Sequence, residues 1–200
     1  DARMRIFNAD GSEAQMCGNG IRCVAKYLYE CGIKKSDRLT IETAAGIKTI
    51  ELTTASGNVT QVKVEMGIPG LLRNEIPMLG ENKQVINEPL QVNDSVLYVT
   101  CVSMGNPHCI TFVDDVDSIV LDVTGKAIEN HELFPERINA HFVQQISANK
   151  VKMRTWERGS GETLACGTGA VATGVACVLN NLTERIINTQ LPGGELTVEW

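Results

Sequence analysis

The same five-residue pattern occurs twice in this sequence, once in each half, and it constrains the fold more than any other feature. The two copies are Met16-Cys17-Gly18-Asn19-Gly20 and Ala165-Cys166-Gly167-Thr168-Gly169. Each places a cysteine ahead of Gly-x-Gly, and each is followed by a run of apolar residues compatible with a helix. The repeat predicts a chain built from two similar halves, each with a cysteine loop, a helix and several strands.

The first motif opens a predicted helix from about Gly18 to Cys31, which Gly32 ends in a left-handed conformation. Its charged residues recur at four-residue spacing and form one polar stripe, namely Arg22, Lys26 and Glu30. The other positions are mostly apolar, so this helix is expected to lie on a core with one side in water.

The second motif opens a predicted helix from Gly167 to about Asn181, and this helix differs from the first. Residues 170–179 carry no charge at all. A helix that is apolar on every side must be surrounded by protein. Its many small residues allow close neighbours, which suits a helix enclosed by a curved sheet.

Strand patterns fill much of the remaining chain. Alternating polar and apolar residues predict strands at 39–43, 49–53, 61–66 and 151–157, and further strands are expected at 96–104, 109–113, 184–190 and 195–199. A short helix is expected at 124–133. The resulting class is α+β. The polar, weakly patterned stretch Gly80-Glu81-Asn82-Lys83 suggests a boundary between two domains, at 1–85 and 86–200.

Composition excludes several classes of function. A net charge of −6 and an aromatic content of 4% argue against a nucleic-acid partner. No apolar run reaches the ~18 residues typical of a membrane span, and the first residues lack the apolar core of a signal peptide. Seven cysteines in spacings that fit neither a disulfide framework nor a zinc site indicate a reducing, cytoplasmic setting without a metal.

The chemistry of the repeated motif is that of proton transfer. A thiol at the start of a helix meets unpaired N–H groups and the positive end of the helix dipole, which favour the thiolate. Two such thiols suggest a two-base site, in which one cysteine removes a proton and the other returns one. The backbone amides of Gly18-Asn19 and Gly167-Thr168 can bind a substrate carboxylate, and no cofactor is required. The remaining cysteines are expected to be buried and inert: Cys23, Cys31, Cys101, Cys109 and Cys177.

Four segments in this order resemble the diaminopimelate epimerase family over essentially the whole chain. They are the cysteine motif with Asn8-Ala9-Asp10-Gly11-Ser12-Glu13 before it, Gly105-Asn106-Pro107-His108, Phe134-Pro135-Glu136-Arg137-Ile138-Asn139, and Glu157-Arg158-Gly159 continuing to the second cysteine motif. Enzymes of this family act without pyridoxal phosphate in lysine and peptidoglycan biosynthesis. Compared with the family, the chain is expected to lack an N-terminal segment and the last strands.

The resemblance implies two similar domains, each a β-barrel-like mixed sheet around a central helix, with the site in the cleft between them. It implies Cys17 and Cys166 as the acid/base pair that interconverts LL- and meso-diaminopimelate, and it suggests a homodimer. By the same match, the distal amino and carboxylate groups of the substrate would be held by Asn8, Asn106, Asn139, Glu157 and Arg158. His108 either helps to deprotonate a cysteine or is structural.

Two other hypotheses remain open at this stage. A proline racemase-like enzyme shares the paired cysteines, but its first motif usually has histidine after Cys-Gly, where this chain has Asn19. A cyclic imino acid would also offer Arg158 no distal carboxylate. The non-enzymatic alternative is a fragment or relative that keeps the scaffold without catalysis.

Overall fold

A computed structural model of the chain describes residues 1–7, 11, 13–14 and 16–200. The predicted site residue Asn8 therefore lies outside the described residues. The chain divides into two compact units, Asp1–Gly67 and Ile68–Trp200. Each unit combines a sheet with a helix that starts at a cysteine motif, and the α+β class expected from the sequence is confirmed.

The first unit is a small sheet against one helix. Its elements are β1 (Ala2–Arg3), β2 (Ile6–Phe7), β3 (Glu13–Ala14), α1 (Gly18–Glu30), β4 (Arg38–Thr43), β5 (Gly46–Ala55) and β6 (Asn58–Val64). The main sheet has the order β1-β4-β5-β6, and β2 pairs with β3. Helix α1 contacts β4, β5 and β6. It buries Ile21, Ala25 and Leu28, which lie three to four residues apart and so share one face.

Helix α1 ends where the sequence predicts. The N–H of Cys31 donates to the carbonyl of Tyr27 at 3.0 Å, and the N–H of Gly32, whose φ is +72°, donates to the carbonyl of Tyr29 at 3.1 Å. The expectation that Cys23 and Cys31 are buried is wrong, because both are exposed. Cys23 precedes Lys26 by three residues and therefore lies on the wet side of the helix.

The second unit contains the larger sheet. Its elements are β7 (Glu88–Val92), β8 (Ser95–Ser103), β9 (Pro107–Phe112), α2 (Leu121–Glu129), β10 (Asn139–Ser147), β11 (Lys150–Glu157), β12 (Gly161–Thr163), α3 (Gly167–Leu179), β13 (Ile186–Leu191) and β14 (Gly194–Glu199). Short 3-10 helices lie at Arg73–Glu75 and Val116–Ser118. The order is β14-β13-β11-β10-β9-β8-β7, with β12 also paired to β11. The sheet is mixed, since β9 with β10 and β11 with β13 run parallel.

The sheet of the second unit surrounds α3. This helix contacts β8, β9, β10, β13 and β14, and it is buried over most of its length. A Cβ built on Gly174 would lie 2.8 Å from Val198 Cγ1, so the helix and β14 approach more closely than a larger residue allows. The predicted enclosure of a charge-free helix by a sheet is confirmed.

Helix α2 covers the opposite face of the same sheet. Leu121 and Ile128 of this helix share one apolar cluster with Ala140 and Phe142 of β10. Because side chains alternate along a strand, His141 between them points to the other face, where its ring lies beside Gly169 of α3. This alternation brings β10 side chains to the start of α3.

The division between the units falls earlier than the boundary expected after residue 85. Residues 68–85 belong to the second unit, and hydrogen bonds join them to its strands. Gly70 and Ser103 exchange backbone hydrogen bonds of 2.9 and 2.8 Å, and the carbonyl of Val85 accepts from Cys101 at 3.0 Å. The buried Arg73 also pairs with Glu88. The polar segment at residues 80–83 is thus a loop within the second unit.

No helix among the described residues is both long enough and apolar enough to span a bilayer.

Candidate active site

Each motif cysteine forms the N-cap of its helix. Cys17 and Cys166 have extended backbones, with φ of −137° and −121°. The Sγ of Cys17 accepts the N–H of Gly20 at 3.3 Å, and the Sγ of Cys166 accepts the N–H of Gly169 at 3.4 Å. A sulfur atom in this position faces the positive end of the helix dipole, as the sequence predicts.

Cys166 rests in its protonated form. Its side chain is buried, with the residue only 4% exposed. Burial and then the negative charge of Glu157 raise the pKa of the Cys166 thiol to about 12, while hydrogen bonds from Thr168 and Gly169 act in the opposite direction. Cys166 is therefore a neutral thiol near pH 7, and hydrogen-bond donors that would stabilise its thiolate lie beside it.

The second glycine of each motif lies against a neighbouring side chain, and the contact is much tighter at Gly169 than at Gly20. A Cβ built on Gly169 would lie 2.3 Å from Cε1 of His141, and one built on Gly20 would lie 3.0 Å from Cδ1 of Ile6. The repeated Gly-x-Gly therefore lets different side chains approach the start of each helix.

A pair of histidines lies beside Cys166. Nδ1 of His108 is 2.8 Å from Nε2 of His141, and both residues are fully buried. Burial, His141 and then Arg158 lower the pKa of His108 well below its usual value, and burial lowers the pKa of His141 to about 3. The other nitrogen of His141 is 3.0 Å from Oγ1 of Thr155. Both rings are therefore neutral near pH 7.

The histidine pair connects to the cysteine through two predicted site residues. Oδ1 of Asn106 is 2.9 Å from Nε2 of His108, and Nδ2 of Asn106 donates to Oγ1 of Thr168 at 3.3 Å. Oγ1 of Thr168 is 3.6 Å from the Sγ of Cys166. The second unit thus brings the partly buried Asn106 and the buried Thr168 and Cys166 into one hydrogen-bonded chain.

The same residues offer atoms of the kind that bind metals. One ligand atom from each of His108, His141 and Cys166 lies within 4.8 Å of the others. However, all four ring nitrogens are hydrogen-bonded, to each other, to Asn106 and to Thr155. A metal would have to break these bonds, so the arrangement fits a hydrogen-bond relay better than a metal centre.

Asn139 joins two of the sequence motifs through their backbones. Its Nδ2 donates to the carbonyl of Pro107 at 2.8 Å, and its Oδ1 accepts the N–H of Arg158 at 2.9 Å. The Arg158 guanidinium donates to the carbonyl of Glu136 at 2.9 Å. Glu157 accepts from the hydroxyl of Thr163 at 2.6 Å. Asn139, Glu157 and Arg158 are therefore held at one end of β10 and β11.

The buried Glu129, which the sequence analysis does not single out, supports this turn. Its Oε1 accepts the N–H of Gly159 at 2.8 Å and a hydrogen bond from Arg137 at 3.1 Å, and its Oε2 accepts from Nε1 of Trp156 at 2.7 Å. A carboxylate with three donors fixes the segment that carries Glu157 and Arg158.

Three predicted site residues of the first unit lie at the start of α1, namely Cys17, Gly18 and Asn19. The guanidinium of Arg22 donates to the carbonyl of Gly18 and to Oδ1 of Asn19, both at 2.8 Å. This contact stabilises the first turn next to Cys17. The remaining predicted site residue of this unit, Asn8, lies outside the described residues.

Sequence reasoning missed His141 and Thr155 as well as Glu129. The available signal was spacing, since His141 follows Asn139 by two residues and shares its face in a strand. The strand itself was not predicted, so the two-residue spacing did not indicate that the two side chains share a face.

Comparison with known proteins gives the family. A family model described as diaminopimelate epimerase matches residues 1–72 and 100–200, which is most of the chain. This chain belongs to the diaminopimelate epimerase family. The resemblance carried by the cysteine motifs is thereby confirmed, and so is the expected enzyme class, because epimerases are isomerases.

Two diaminopimelate epimerases show the similarity over the whole chain. A diaminopimelate epimerase of Pelotomaculum thermopropionicum is 53% identical over 100% of this chain and 71% of its own length. One from Methanococcus maripaludis is 52% identical over 100% of this chain and 72% of its own length. Both of these diaminopimelate epimerases are longer than the present chain.

Solved structures related to this diaminopimelate epimerase family member share its fold. A probable proline racemase from Agrobacterium radiobacter K84 superposes with a TM-score of 0.72 at 16% identity, covering 98% of this chain and 62% of that one. A hydroxyproline epimerase from Agrobacterium vitis gives 0.73 at 14% identity, with 98% and 62% coverage. The chain spans less than two thirds of both. These likenesses show the fold alone, and they agree with the expected fold class.

Proposed function

We propose that this chain carries out the LL/meso epimerisation of diaminopimelate by proton transfer between Cys17 and Cys166. The observation that carries the proposal is the matched pair of cysteine N-caps, each accepting the N–H of the second motif glycine. Membership in the family supports the substrate. A lysine- and peptidoglycan-precursor pathway, a cytoplasmic setting and a homodimer belong to the same proposal, as does the absence of a cofactor.

The proton transfers balance without an external reagent. In one direction the Cys17 thiolate takes the α-proton, so the C–H bond breaks and an S–H bond forms. The α-carbon then takes the proton of the Cys166 thiol from the opposite face, which leaves the Cys166 thiolate. Inversion at the carbon follows because the two protons are exchanged on opposite sides. In the reverse direction the two cysteines exchange roles.

Backbone amides would stabilise the charge that develops on the substrate carboxylate. The N–H groups at the start of α1 and α3, those of Gly18 and Asn19 and of Gly167 and Thr168, are the donors we assign to this task. Donors fixed by the fold stabilise an enolate-like oxygen without reorganisation during the reaction. The burial of Cys166 excludes water and strengthens these interactions.

The distal end of the substrate would be recognised by Asn8, Asn106, Asn139, Glu157 and Arg158. A guanidinium suits the distal carboxylate, and a carboxylate suits the distal ammonium group. Asn139 also binds the backbones of Pro107 and Arg158, and this contact holds the Arg158 backbone in position. His108 acts within the hydrogen-bonded chain described above.

The test is hydrogen exchange from D₂O into diaminopimelate, followed by NMR and by chiral separation of the epimers. Wild type should exchange the α-hydrogen with inversion, and Cys17→Ala and Cys166→Ala should each lose inversion. Cys23→Ala is the matched control, since Cys23 is exposed on α1 and outside the proposed site. Inversion that persists in either motif variant would overturn the two-thiol mechanism.

The same assay separates the other hypotheses. Turnover of proline in place of diaminopimelate would favour a proline racemase-like activity. Tight binding of diaminopimelate by a folded wild-type protein without any exchange would favour a scaffold without catalysis.

A further inference from the structure

We infer that His141 is a positioning residue for Cys166, which fixes the direction of a hydrogen-bonded chain so that the Thr168 hydroxyl donates to the sulfur. The inference rests on the proposed acid/base role of Cys166. His141 does not touch the reacting atoms in this assignment, and it acts through His108, Asn106 and Thr168.

The direction follows from the hydrogen-bonding capacity of each group. Oδ1 of Asn106 can only accept, so Nε2 of His108 must carry its proton. A neutral His108 then has an unprotonated Nδ1, which must accept from Nε2 of His141. His141 in turn has an unprotonated Nδ1, which accepts from the hydroxyl of Thr155.

The chain continues in the same direction to the sulfur. Nδ2 of Asn106 can only donate, so Oγ1 of Thr168 accepts from it. The hydroxyl hydrogen of Thr168 is therefore available to donate to another acceptor. The Sγ of Cys166 lies 3.6 Å from Oγ1 of Thr168. Every hydrogen bond from Thr155 onward therefore donates toward Cys166.

The geometry makes this direction depend on His141. The two histidine nitrogens are 2.8 Å apart and share one proton, and a second proton would set two N–H groups against each other. Without a donor at residue 141, His108 could move its proton to Nδ1. Asn106 would then turn its amide, and the Thr168 hydroxyl would donate to Asn106 instead of to the sulfur.

The start of α3 also fixes the position of the His141 ring. Only a glycine at 169 leaves room for the His141 ring, because a Cβ there would lie 2.3 Å from Cε1. The ring is therefore held where it meets both His108 and the helix that carries Cys166. This contact is independent of the hydrogen bonds and supports the same assignment.

The test compares His141→Leu with His141→Gln. Leucine fills the space without a donor, whereas the Gln amide can donate to His108 and accept from Thr155. The readout is the rate of Cys166 alkylation by iodoacetamide between pH 7 and 9, measured by mass spectrometry of the Cys166 peptide. We expect a loss of roughly tenfold in His141→Leu, because the thiolate loses a charge-assisted hydrogen bond, and a rate close to wild type in His141→Gln.

The sign of the change separates this role from simple packing. A loosened structure would expose the buried thiol and accelerate alkylation, whereas loss of the donor slows it. Faster alkylation in His141→Leu, or equal rates in wild type and both variants, would overturn the inference. If His141→Leu does not fold, Thr155→Val removes the first donor with little change in shape and should slow alkylation in the same direction.

Two further measurements complete the test. In a Thr168→Val background, which lacks the hydroxyl, His141→Leu should have no additional effect on alkylation. In the epimerase assay, His141→Leu should lower kcat by roughly tenfold with KM unchanged, and His141→Gln should restore kcat. Because alkylation needs no turnover, it still tests the relay if the wild type proves inactive on diaminopimelate, so the two proposals can fail separately.

Discussion

The ring of His141 occupies the space that a side chain at Gly169 would need, with 2.3 Å between Cε1 and an ideal Cβ. Both residues lie in the buried interior of the second unit, where the backbone and ring have little room to move. Gly169→Ala should therefore destabilise the protein by about 1–3 kcal/mol. Urea unfolding followed by tryptophan fluorescence measures this, since Trp156 and Trp200 both belong to the second unit.

A double-mutant cycle provides the control. In a His141→Ala background the methyl group has space, so Gly169→Ala should cost much less than in wild type. Equal costs in both backgrounds would mean that the clash with His141 does not explain the glycine.

Glu157 contributes to the raised pKa of the Cys166 thiol. Its negative charge is the second cause, after burial, of the raised pKa of the thiol. Glu157→Gln should therefore lower that pKa and increase the rate of Cys166 alkylation at pH 8 by ~tenfold. The measurement is peptide mass spectrometry after timed exposure to iodoacetamide.

Glu162→Gln is the matched control for this effect. Glu162 is exposed and paired with Arg154, and its removal should leave the alkylation of Cys166 unchanged. An unchanged rate in Glu157→Gln would contradict the assigned electrostatic effect.

The buried histidines make stability depend on pH. His108 and His141 have a lowered pKa in the folded state, which for His141 is about 3, whereas both titrate near 6.5 when unfolded. Between these pKa values the unfolded chain binds more protons than the folded chain. The contribution of the two neutral histidines to stability is therefore fully present well above pH 6.5 and is lost as the pH falls below it. The expected slope for each histidine increases from about 0.7 kcal/mol per pH unit at pH 6.5 toward about 1.4 kcal/mol per pH unit near pH 5.

Urea unfolding at pH 7.5, 6 and 5 checks this dependence. His141→Gln should remove about half of the slope attributed to the pair. A free energy of unfolding that stays constant between pH 7.5 and 5 in wild type would refute the assignment of two neutral buried histidines.

Glu129 stabilises the turn that carries two proposed substrate-binding residues. Glu129→Ala leaves the N–H of Gly159 and Nε1 of Trp156 without their acceptor inside the protein. We expect a loss of roughly 2–5 kcal/mol in urea unfolding, because buried donors lose charge-assisted hydrogen bonds. Glu129→Gln keeps one acceptor oxygen and should lie between wild type and Glu129→Ala.

Glu132→Ala serves as the comparison, since Glu132 is exposed shortly after the same helix. Its free energy of unfolding should change by less than about 0.5 kcal/mol. If Glu129→Ala and Glu132→Ala have the same effect, the hydrogen bonds of Glu129 contribute little to stability.

The local parts of the fold were predictable because their signals are local. A cysteine before Gly-x-Gly, an apolar run and a stop at Gly32 define α1 within one continuous segment. The absence of charge in residues 170–179 predicts the enclosure of α3 for the same reason, since each residue carries its own preference for burial. The strands with alternating residues, such as β4, were also correctly located.

Strand β10 was missed although it lies in the middle of the larger sheet. It is covered by α2 on one face and by α3 on the other, so its first five residues are all buried and show no alternation. Buried Asn139 and His141 make the segment look like a polar loop, because the sequence does not show that their polar atoms have partners.

The sequence by itself determined the family, the two cysteine-capped helices and the residue types of the candidate site, because these depend on short contiguous motifs. Only the tertiary structure decided that Glu157 raises the pKa of Cys166, that His141 lies against Gly169, and that Thr155 begins a chain of hydrogen bonds toward the sulfur. Those relationships join β10, β11 and α3, and no contiguous pattern encodes them. They arise from the pairing of strands and from the burial that pairing produces, which is where pKa values and hydrogen-bond directions are set.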